Sequence, residues 1–377
     1  MRIGLFVTGA FSRREHLDWV SGHVQIPLMA ARILSSAGHQ VTLITTRQPE
    51  ADCLPYALPQ VVEVALVQHA SSWSPEHRVH TGKALRQVRQ LLALMRDRRF
   101  EVIHFFGGMA TGWLLCGLKA LGVRSVALYS PIRRPPLYRS RLRNAILRSA
   151  FGRVSRILAT ADYVSAGWAA VVGAENTRTL YPGIMKQMSG ASALADRDSI
   201  LFLREASHEN GVDLALASFR KLAPKYAHTR FVFAVRPYEE YREPLLQLGR
   251  QIENVNVHVY PYDNGVSLAD LLGKTRFVVQ PFRSLSINPQ VSLLEALYAG
   301  VPVIAAEVES NSEVVHHEEN GLLIPPDDER ALLCATERLL NDTPLLTRLS
   351  QNARRVTEER WNWDSFGRQL LRVYDEL

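Results

Sequence analysis

The sequence predicts an α/β protein of two domains, each a parallel sheet covered by helices, and three observations predict it. Short apolar, β-prone runs alternate with helical segments along most of the chain. The turn Pro182-Gly183 and the small, polar, aperiodic stretch 187–198 (QMSGASALADRD) interrupt that alternation near its middle, as a linker does. A length of 377 residues suffices for two cores of ordinary size. The expected boundaries are 1–185 and 186–361, followed by a closing helix over 362–377.

In the first domain, residues 2–8 (RIGLFVT) form a strand, and Gly9 permits a tight turn after it. Residues 11–21 are a polar interruption before a helix that begins near Gly22. Its apolar positions Val24, Ile26, Leu28, Ile33 and Leu34 suit packing on a sheet, and Gly38 stops it. Strands follow at 41–45 and 61–66. From Gly82 to Arg98 the period is helical, with Leu85, Val88, Leu91, Leu92 and Met95 on one face and Lys83, Arg86, Arg89 and Arg96 on the other. Further strands are expected at 102–105 and 125–129. The segment 131–136 (PIRRPP) then breaks the pattern at the carboxyl end of a strand. It opens a stretch with Arg133, Arg134, Arg139, Arg141, Arg143, Arg148, Arg153 and Arg156. Interleaved with Leu137, Leu142, Ile146, Leu147, Phe151 and Val154, this reads as a basic amphipathic helix. Such a helix is either a solvated face or a surface for an anionic membrane. Residues 157–160, a helix over 164–172 and residues 179–181 complete the domain.

The second domain opens with a strand at 199–203 and a helix over 211–226. Strands at 231–234, 255–259, 277–280, 301–305 and 322–324 supply its sheet, and helices are expected over 329–340, 345–359 and 365–377. Its centre is the run from Val278 to Pro325: a strand, a polar loop with Pro281 and Pro289, a short helix ending at Gly300, and two more strands with a short helix between them. Ligands of parallel sheets sit at the carboxyl ends of strands, so chemistry is expected in loop 281–290 and the helix start after it. Unpaired backbone N–H groups and the positive dipole end of that helix suit a phosphate, which points to a nucleotide.

Composition narrows the class. Apolar content of 47% and charged content of 21% are those of a soluble globular protein. No run of 18 apolar residues and no cleavable leader is visible, so a cytoplasmic protein is expected. Cys53, Cys116 and Cys334 are scattered and odd in number, which argues against a disulfide framework or zinc site. Residues 1–186 carry 24 Lys and Arg against 10 Asp and Glu, a net of +14, whereas the remainder carries 20 against 27, a net of −7. This split steers an anionic partner to the first domain. No nucleic-acid-binding signature accompanies it, so nucleic acid is not expected as a partner.

Several stretches together carry a family resemblance. Residues 293–315 (LLEALYAGVPVIAAEVESNSEVV) and 320–340 (NGLLIPPDDERALLCATERLL) resemble the donor half of the retaining glycosyltransferases of the GT-B fold, glycosyltransferase family 4, group 1. RIGLFVTGAF and SGHVQIPLMAARILSSAGHQVTLIT are similar to that family's first strand, glycine loop and helix. EVIHFFGG is similar to its fourth strand, LYPGI to its interdomain turn and RWNWDSFGRQLLRVYDEL to its closing helix. The resemblance implies two Rossmann-like domains facing a central cleft, with the last helix crossing back to the first domain. It also implies transfer of a sugar from a nucleotide diphosphate sugar to a saccharide or lipid-linked acceptor, with retention and without a bound metal or other cofactor. In that mechanism the departing phosphate takes the acceptor's proton. A cytoplasmic location, with peripheral contact at the inner face of an anionic membrane, accords with the basic first domain.

Sugar transfer needs a grip on the nucleoside, cations or N–H groups on the leaving diphosphate, and an environment tolerating an oxocarbenium-like sugar. Glu295 matches the second glutamate of the family's E-x7-E motif, which implies hydrogen bonds from the ribose hydroxyls. A carboxylate offers two oxygens to such a diol, and its structural alternative is support of the helix dipole. Glu313 matches a further acidic family position or serves as a cap. Gly22 matches the glycine loop that approaches the donor phosphate, or simply starts a helix. His16 and Asp18 are candidates for the acceptor side. His104 reads as a core histidine and His316-His317 as surface. Asp196-Arg197-Asp198 mimics a metal-binding DxD but sits in the linker.

The sequence also departs from the family. Ile287 stands where the first glutamate of the motif would contact the donor sugar. Glu205 and Asn210 stand where an arginine and a lysine hold the diphosphate, and Tyr129 where a histidine meets the sugar. Two readings follow. Either Arg204, His208 or Arg283 supplies the missing charge, with Ser284, Ser286, Asn288 and the N–H groups of Gln290, Val291 and Ser292 adding bonds, or the chain is a catalytically silent partner subunit that still binds nucleotide.

Overall fold

A computed structural model describes residues 1–7, 22–45, 61–67, 81–106, 125–130, 134–135, 140–152, 154–184, 192–236, 239–260, 266–285 and 287–377. His16, Asp18, Ser286, Cys53 and Cys116 lie outside the described residues. The chain divides into two compact units, one comprising Met1–Pro182 with Trp363–Leu377 and the other Gly183–Asn362. Among the described residues no helix is long and apolar enough to cross a membrane.

In the first unit the strands are β1 (Arg2–Val7), β2 (Gln40–Thr45), β3 (Glu63–Leu66), β4 (Val102–Phe106), β5 (Ser125–Ser130), β6 (Arg156–Ala159) and β7 (Thr177–Thr179). They form a parallel sheet in the order β3-β2-β1-β4-β5-β6-β7, with Ile3 opposite both Val41 and Val102. The central strands β1 and β4 are buried on both faces, which is why they read as nearly unbroken apolar runs, whereas β3 at the edge is exposed at both ends and half-buried between them. The described helices are α1 (Gly22–Ser36), α2 (Thr81–Arg98), α3 (Arg141–Phe151) and α4 (Asp162–Val172). Trp363–Asp375, numbered α12, joins them: Phe366, Leu370, Val373 and Tyr374 share one core with Ile3, Leu5, Ile26, Leu28 and Leu34.

The arginine-rich stretch is shorter as a helix than expected. Among its described residues, 141–151 are helical, and Pro135 before them lies outside the helix, as proline cannot continue one. Arg134 lies outside it, with its guanidinium 3.6 Å above the Tyr163 ring and its Nε donating to the Tyr163 carbonyl. Arg156 opens β6 and donates to Glu376. Within α3, Leu147 and Phe151 are buried, while Arg141, Leu142 and Arg148 face outward.

The second unit repeats the plan with β8 (Ser199–Glu205), β9 (Arg230–Arg236), β10 (Val255–Val259), β11 (Thr275–Gln280), β12 (Val303–Ala306) and β13 (Gly321–Ile324), in the order β10-β9-β8-β11-β12-β13, all parallel. Its helices are α5 (Val212–Leu222), α6 (Glu239–Gln251), α7 (Leu268–Gly273), α8 (Val291–Tyr298), α9 (Asn311–Val314), α10 (Glu329–Asn341) and α11 (Thr343–Arg360). Sequence periodicity does not mark α6, whose Pro244 lies inside the helix, or α7, which is only six residues long. The signal for α7 was its capping box, with Ser267 and Asp270 exchanging hydrogen bonds. Both sheets have the strand order of a doubly wound nucleotide-binding fold, and each reverses direction beside its first strand.

Candidate functional site

In the second unit the strand order reverses between β8 and β11, so the loops leaving these strands, 206–211 and 281–290, lie at the carboxyl edge of the sheet at its switch point, where sheets of this kind take ligands. The sequence keeps the two loops tightly apposed. Gly211 has φ +72°, and a Cβ built there would lie 2.1 Å from the Pro281 carbonyl oxygen, so only glycine fits without displacing the other loop. The backbone N–H of Arg283 also donates to the Glu209 carbonyl at 2.8 Å.

Arg283 cross-links three segments. Its guanidinium makes a two-pronged bond to Asp213 in α5 at 2.7 and 2.8 Å, and it donates to Asp327 beyond β13 at 2.7 Å and to the His208 carbonyl at 2.6 Å. Burial pushes the Asp213 carboxyl up, but the hydrogen bonds and charge of Arg283 outweigh it and hold the group below the usual carboxylate range. Asp213 in turn raises the Arg283 pKa. The side chain proposed from sequence as a phosphate clamp is thus engaged by two carboxylates. His208, more than half exposed, stands 3.6 Å from Asp213 by its Nδ1. Arg204 is in the last part of β8, and its side chain is outside the described residues.

The departures at the end of β8 have structural uses. The buried Asn210 donates its side-chain amide to the Glu205 carbonyl at 2.9 Å, closing the turn after β8. Glu205 itself is partly exposed at the strand end.

The helix that follows β11 is fixed by a residue sequence analysis did not single out. Gln280, fully buried, donates from Nε2 to the Leu203 carbonyl at 2.7 Å and to Ser292 Oγ at 2.8 Å, tying the first turn of α8 to β8. Its Oε1 has no partner among the described residues. The signal was available: a lone amide ending an otherwise apolar strand. Gln290 is the N-cap of α8 without a side-chain capping bond, and Val291 and Ser292 begin the helix, so this is where its first N–H groups lie. Glu295 lies one turn further in, partly exposed on a helix whose Leu293, Leu294, Ala296 and Leu297 are buried. Buried Asn288 donates to Glu309 at 2.7 Å and accepts from the Ser310 hydroxyl at 2.7 Å, and Ser284 is exposed in the same loop. Glu313 sits in the first turn of α9, partly exposed.

The remaining expected residues fall elsewhere. Asp198, before β8 at the opposite edge of the sheet, pairs with Arg230 at 2.7 Å, and Arg197 donates to the carbonyls of Ser192 and Gly300. Burial lowers the Arg197 pKa. These residues serve as ties between elements. His316 approaches Glu319, and His317 accepts the Leu323 N–H, both within the turn before β13. In the first unit Gly22 is the first residue of α1, and Tyr129 lies near the carboxyl end of β5, in register with Phe106 and Leu158. His104 is fully buried, stacks on Phe106 at 4.3 Å and shares a 2.8 Å hydrogen bond with the Tyr374 hydroxyl.

Two family models match, one after the other: "Glycosyltransferase Family 4" over residues 20–186 and "Glycosyl transferases group 1" over residues 187–356. An uncharacterised glycosyltransferase of Methanocaldococcus jannaschii is 25% identical over 48% of this chain and 45% of its own length. Phosphatidyl-myo-inositol mannosyltransferase of Mycolicibacterium smegmatis is 22% identical over 100% of this chain and 94% of its own. The chain spans less than half the length of several curated relatives it matches. Among solved structures, Anabaena HepE in complex with UDP-glucose superposes with a TM-score of 0.73 at 15% identity, covering 100% of each chain. The two-domain fold is therefore the GT-B fold.

Proposed function

This chain belongs to the family 4, group 1 glycosyltransferases, and on that premise we propose that it moves a sugar from a nucleotide diphosphate sugar to a saccharide or lipid-linked acceptor, with retention and without a bound metal. The observation that carries the reading is the switch point of a doubly wound sheet between β8 and β11, with the amino end of α8 following β11 and Glu295 one turn into that helix. In this reading the first N–H groups of α8 stabilise the leaving diphosphate and Glu295 accepts the ribose hydroxyls. Arg204 and His208 supply the remaining charge. Arg283 holds the loops that present them, since its guanidinium is already shared between Asp213 and Asp327.

The acceptor binds the basic first domain. The named mannosyltransferase relative carries a phosphatidyl-inositol acceptor in its name. The outward Arg141, Leu142 and Arg148 of α3 offer a basic and apolar surface of the kind that meets an anionic membrane.

The test is turnover by purified protein with a panel of UDP- and GDP-sugars, read as nucleotide release and sugar transfer. Glu295→Ala is expected to weaken nucleotide binding by ~10-fold or more. Unchanged nucleotide affinity in that variant, with no turnover of any donor by the unaltered protein, would refute the assignment. Nucleotide binding without turnover would instead mark a silent partner subunit.

A further inference from the structure

Successive residues of a strand point to opposite faces of its sheet, and in the second unit Ile200, Phe202, Phe231, Phe233 and Val255 point into the core. On the other face Leu201 of β8, Val232 of β9 and Asn256 of β10 stand in register as one row, and Thr275, Ser199 and Arg230 as another. That second row consists of the first residues of β11, β8 and β9, so it marks the end of the sheet away from loops 206–211 and 281–290. Leu271 of α7 and Lys274 after it face the two rows across a cavity of about 260 Å³.

The groups around the cavity decide what it can hold. Ser199 Oγ donates to the Lys274 carbonyl at 2.9 Å and Thr275 Oγ1 to the Leu271 carbonyl at 2.7 Å, so both hydroxyls are spent within the wall. The charges balance as well. Arg230 donates to Asp198 at 2.7 Å, and Asp270, whose carboxylate caps α7 by accepting from Ser267, has Lys274 as its neighbouring positive charge. Two cations against two carboxylates leave no net charge to recruit an ion. The floor is apolar, since Leu201 and Val232 are buried there. Asn256, half-buried beside Val232, has no side-chain hydrogen bond among the described residues, and its amide offers a donor next to an acceptor. An apolar cavity of about 150 Å³ accepts benzene, so the larger volume here suits two fused rings. We propose that this cavity binds a small, uncharged two-ring heteroaromatic with a donor beside an acceptor on one edge, the chemistry of a purine base, with its rings on Leu201 and Val232 and its edge on the Asn256 amide. The nucleotide-sugar reading is not needed for it.

The test is a titration of the full chain, methyl-labelled at leucine and valine, with adenine, adenosine, AMP and indole, followed by NMR. Leu201, Val232 and Leu271 report on the cavity, and Leu293 and Leu294 of α8 on the carboxyl edge of the same sheet. Adenine and adenosine are expected to shift the first three saturably and to leave the α8 pair in place. AMP should bind within ~3-fold of adenosine, because the charges nearby are already matched. Indole, which has a ring donor but no acceptor beside it, should bind at least ~5-fold more weakly than adenine. Asn256→Leu is expected to weaken adenine by ~5- to 100-fold and to change indole by less than ~3-fold. Val232→Phe fills the cavity and should abolish both; if thermal melting shows that it does not fold, Asn256→Leu on the edge strand carries the test. No saturable shift with adenine or adenosine, shifts confined to α8, indole equal to adenine, or adenine affinity unchanged in Asn256→Leu would each overturn the proposal. AMP binding more than ~10-fold tighter than adenosine would also overturn it, by making the cavity a site for anions.

Discussion

Arg283 shows how one side chain can be withdrawn from one task by its neighbours and given another. A guanidinium held by Asp213 on two prongs and by Asp327 on a third is preorganised, and most of it is shielded from water. Removing it leaves Asp213 without its partner in a partly buried place, so Arg283→Ala is expected to destabilise the second unit by about 2–3 kcal/mol, read in urea unfolding. Lysine cannot reproduce the fork, so Arg283→Lys should recover less than half of that loss. The pH dependence follows in sign: the Asp213 pKa is lowered in the folded state, so its contribution is complete above the unfolded value near 4 and disappears as pH falls below it. Gly211→Ala meets both a positive φ and the Pro281 carbonyl, and it should cost at least ~1–3 kcal/mol while separating the two loops.

The most informative element is α12, which follows the second unit along the chain yet packs in the first, beside β1 and α1. Its Tyr374 meets His104 of β4 in a closed core, and burial lowers the His104 pKa to about 3. A neutral folded histidine and an unfolded one that titrates near 6.5 mean that stability is full above pH ~6.5 and declines as pH falls toward 3. The decline attributable to this residue is on the order of 4 kcal/mol across that window, and Tyr374→Phe should lower stability at neutral pH by about 1–3 kcal/mol by depriving a buried ring nitrogen of its partner. Thermal melting across pH 4–8 checks both. Helix α12 was legible because Phe366, Leu370 and Val373 recur at helical spacing, and β1, β4 and β11 because both of their faces are buried. The helix α6 was not, since charged residues and Pro244 hide its apolar face. Glu295 was legible as a candidate because it sits in a recurrent local pattern. Asp213 and Glu309 were not, because each acquires its role from a segment distant in sequence, Arg283 and Asn288 respectively, whereas Gln280 left one trace, a lone amide ending an apolar strand.

At the scale of the whole molecule, two sheets of the same strand order are made by one chain, and the second is inserted before the first has received its last helix. Residues 183–362 should therefore fold when expressed alone and retain nucleotide binding, whereas residues 1–182 alone should expose the surface that Phe366, Leu370 and Tyr374 cover, bind a hydrophobic dye and unfold without a sharp transition. A synthetic 363–377 peptide added to the shorter fragment is expected to sharpen that transition. If 1–182 melts cooperatively by itself, α12 is dispensable to its core. The order in which a ribosome releases these parts has a further result. After residue 182 emerges, 180 more residues precede Trp363, a wait of roughly 10–40 s at about 5–20 residues per second. For that interval the nascent amino-terminal half is sticky along one face, which makes it the segment that chaperones at the exit tunnel should hold longest.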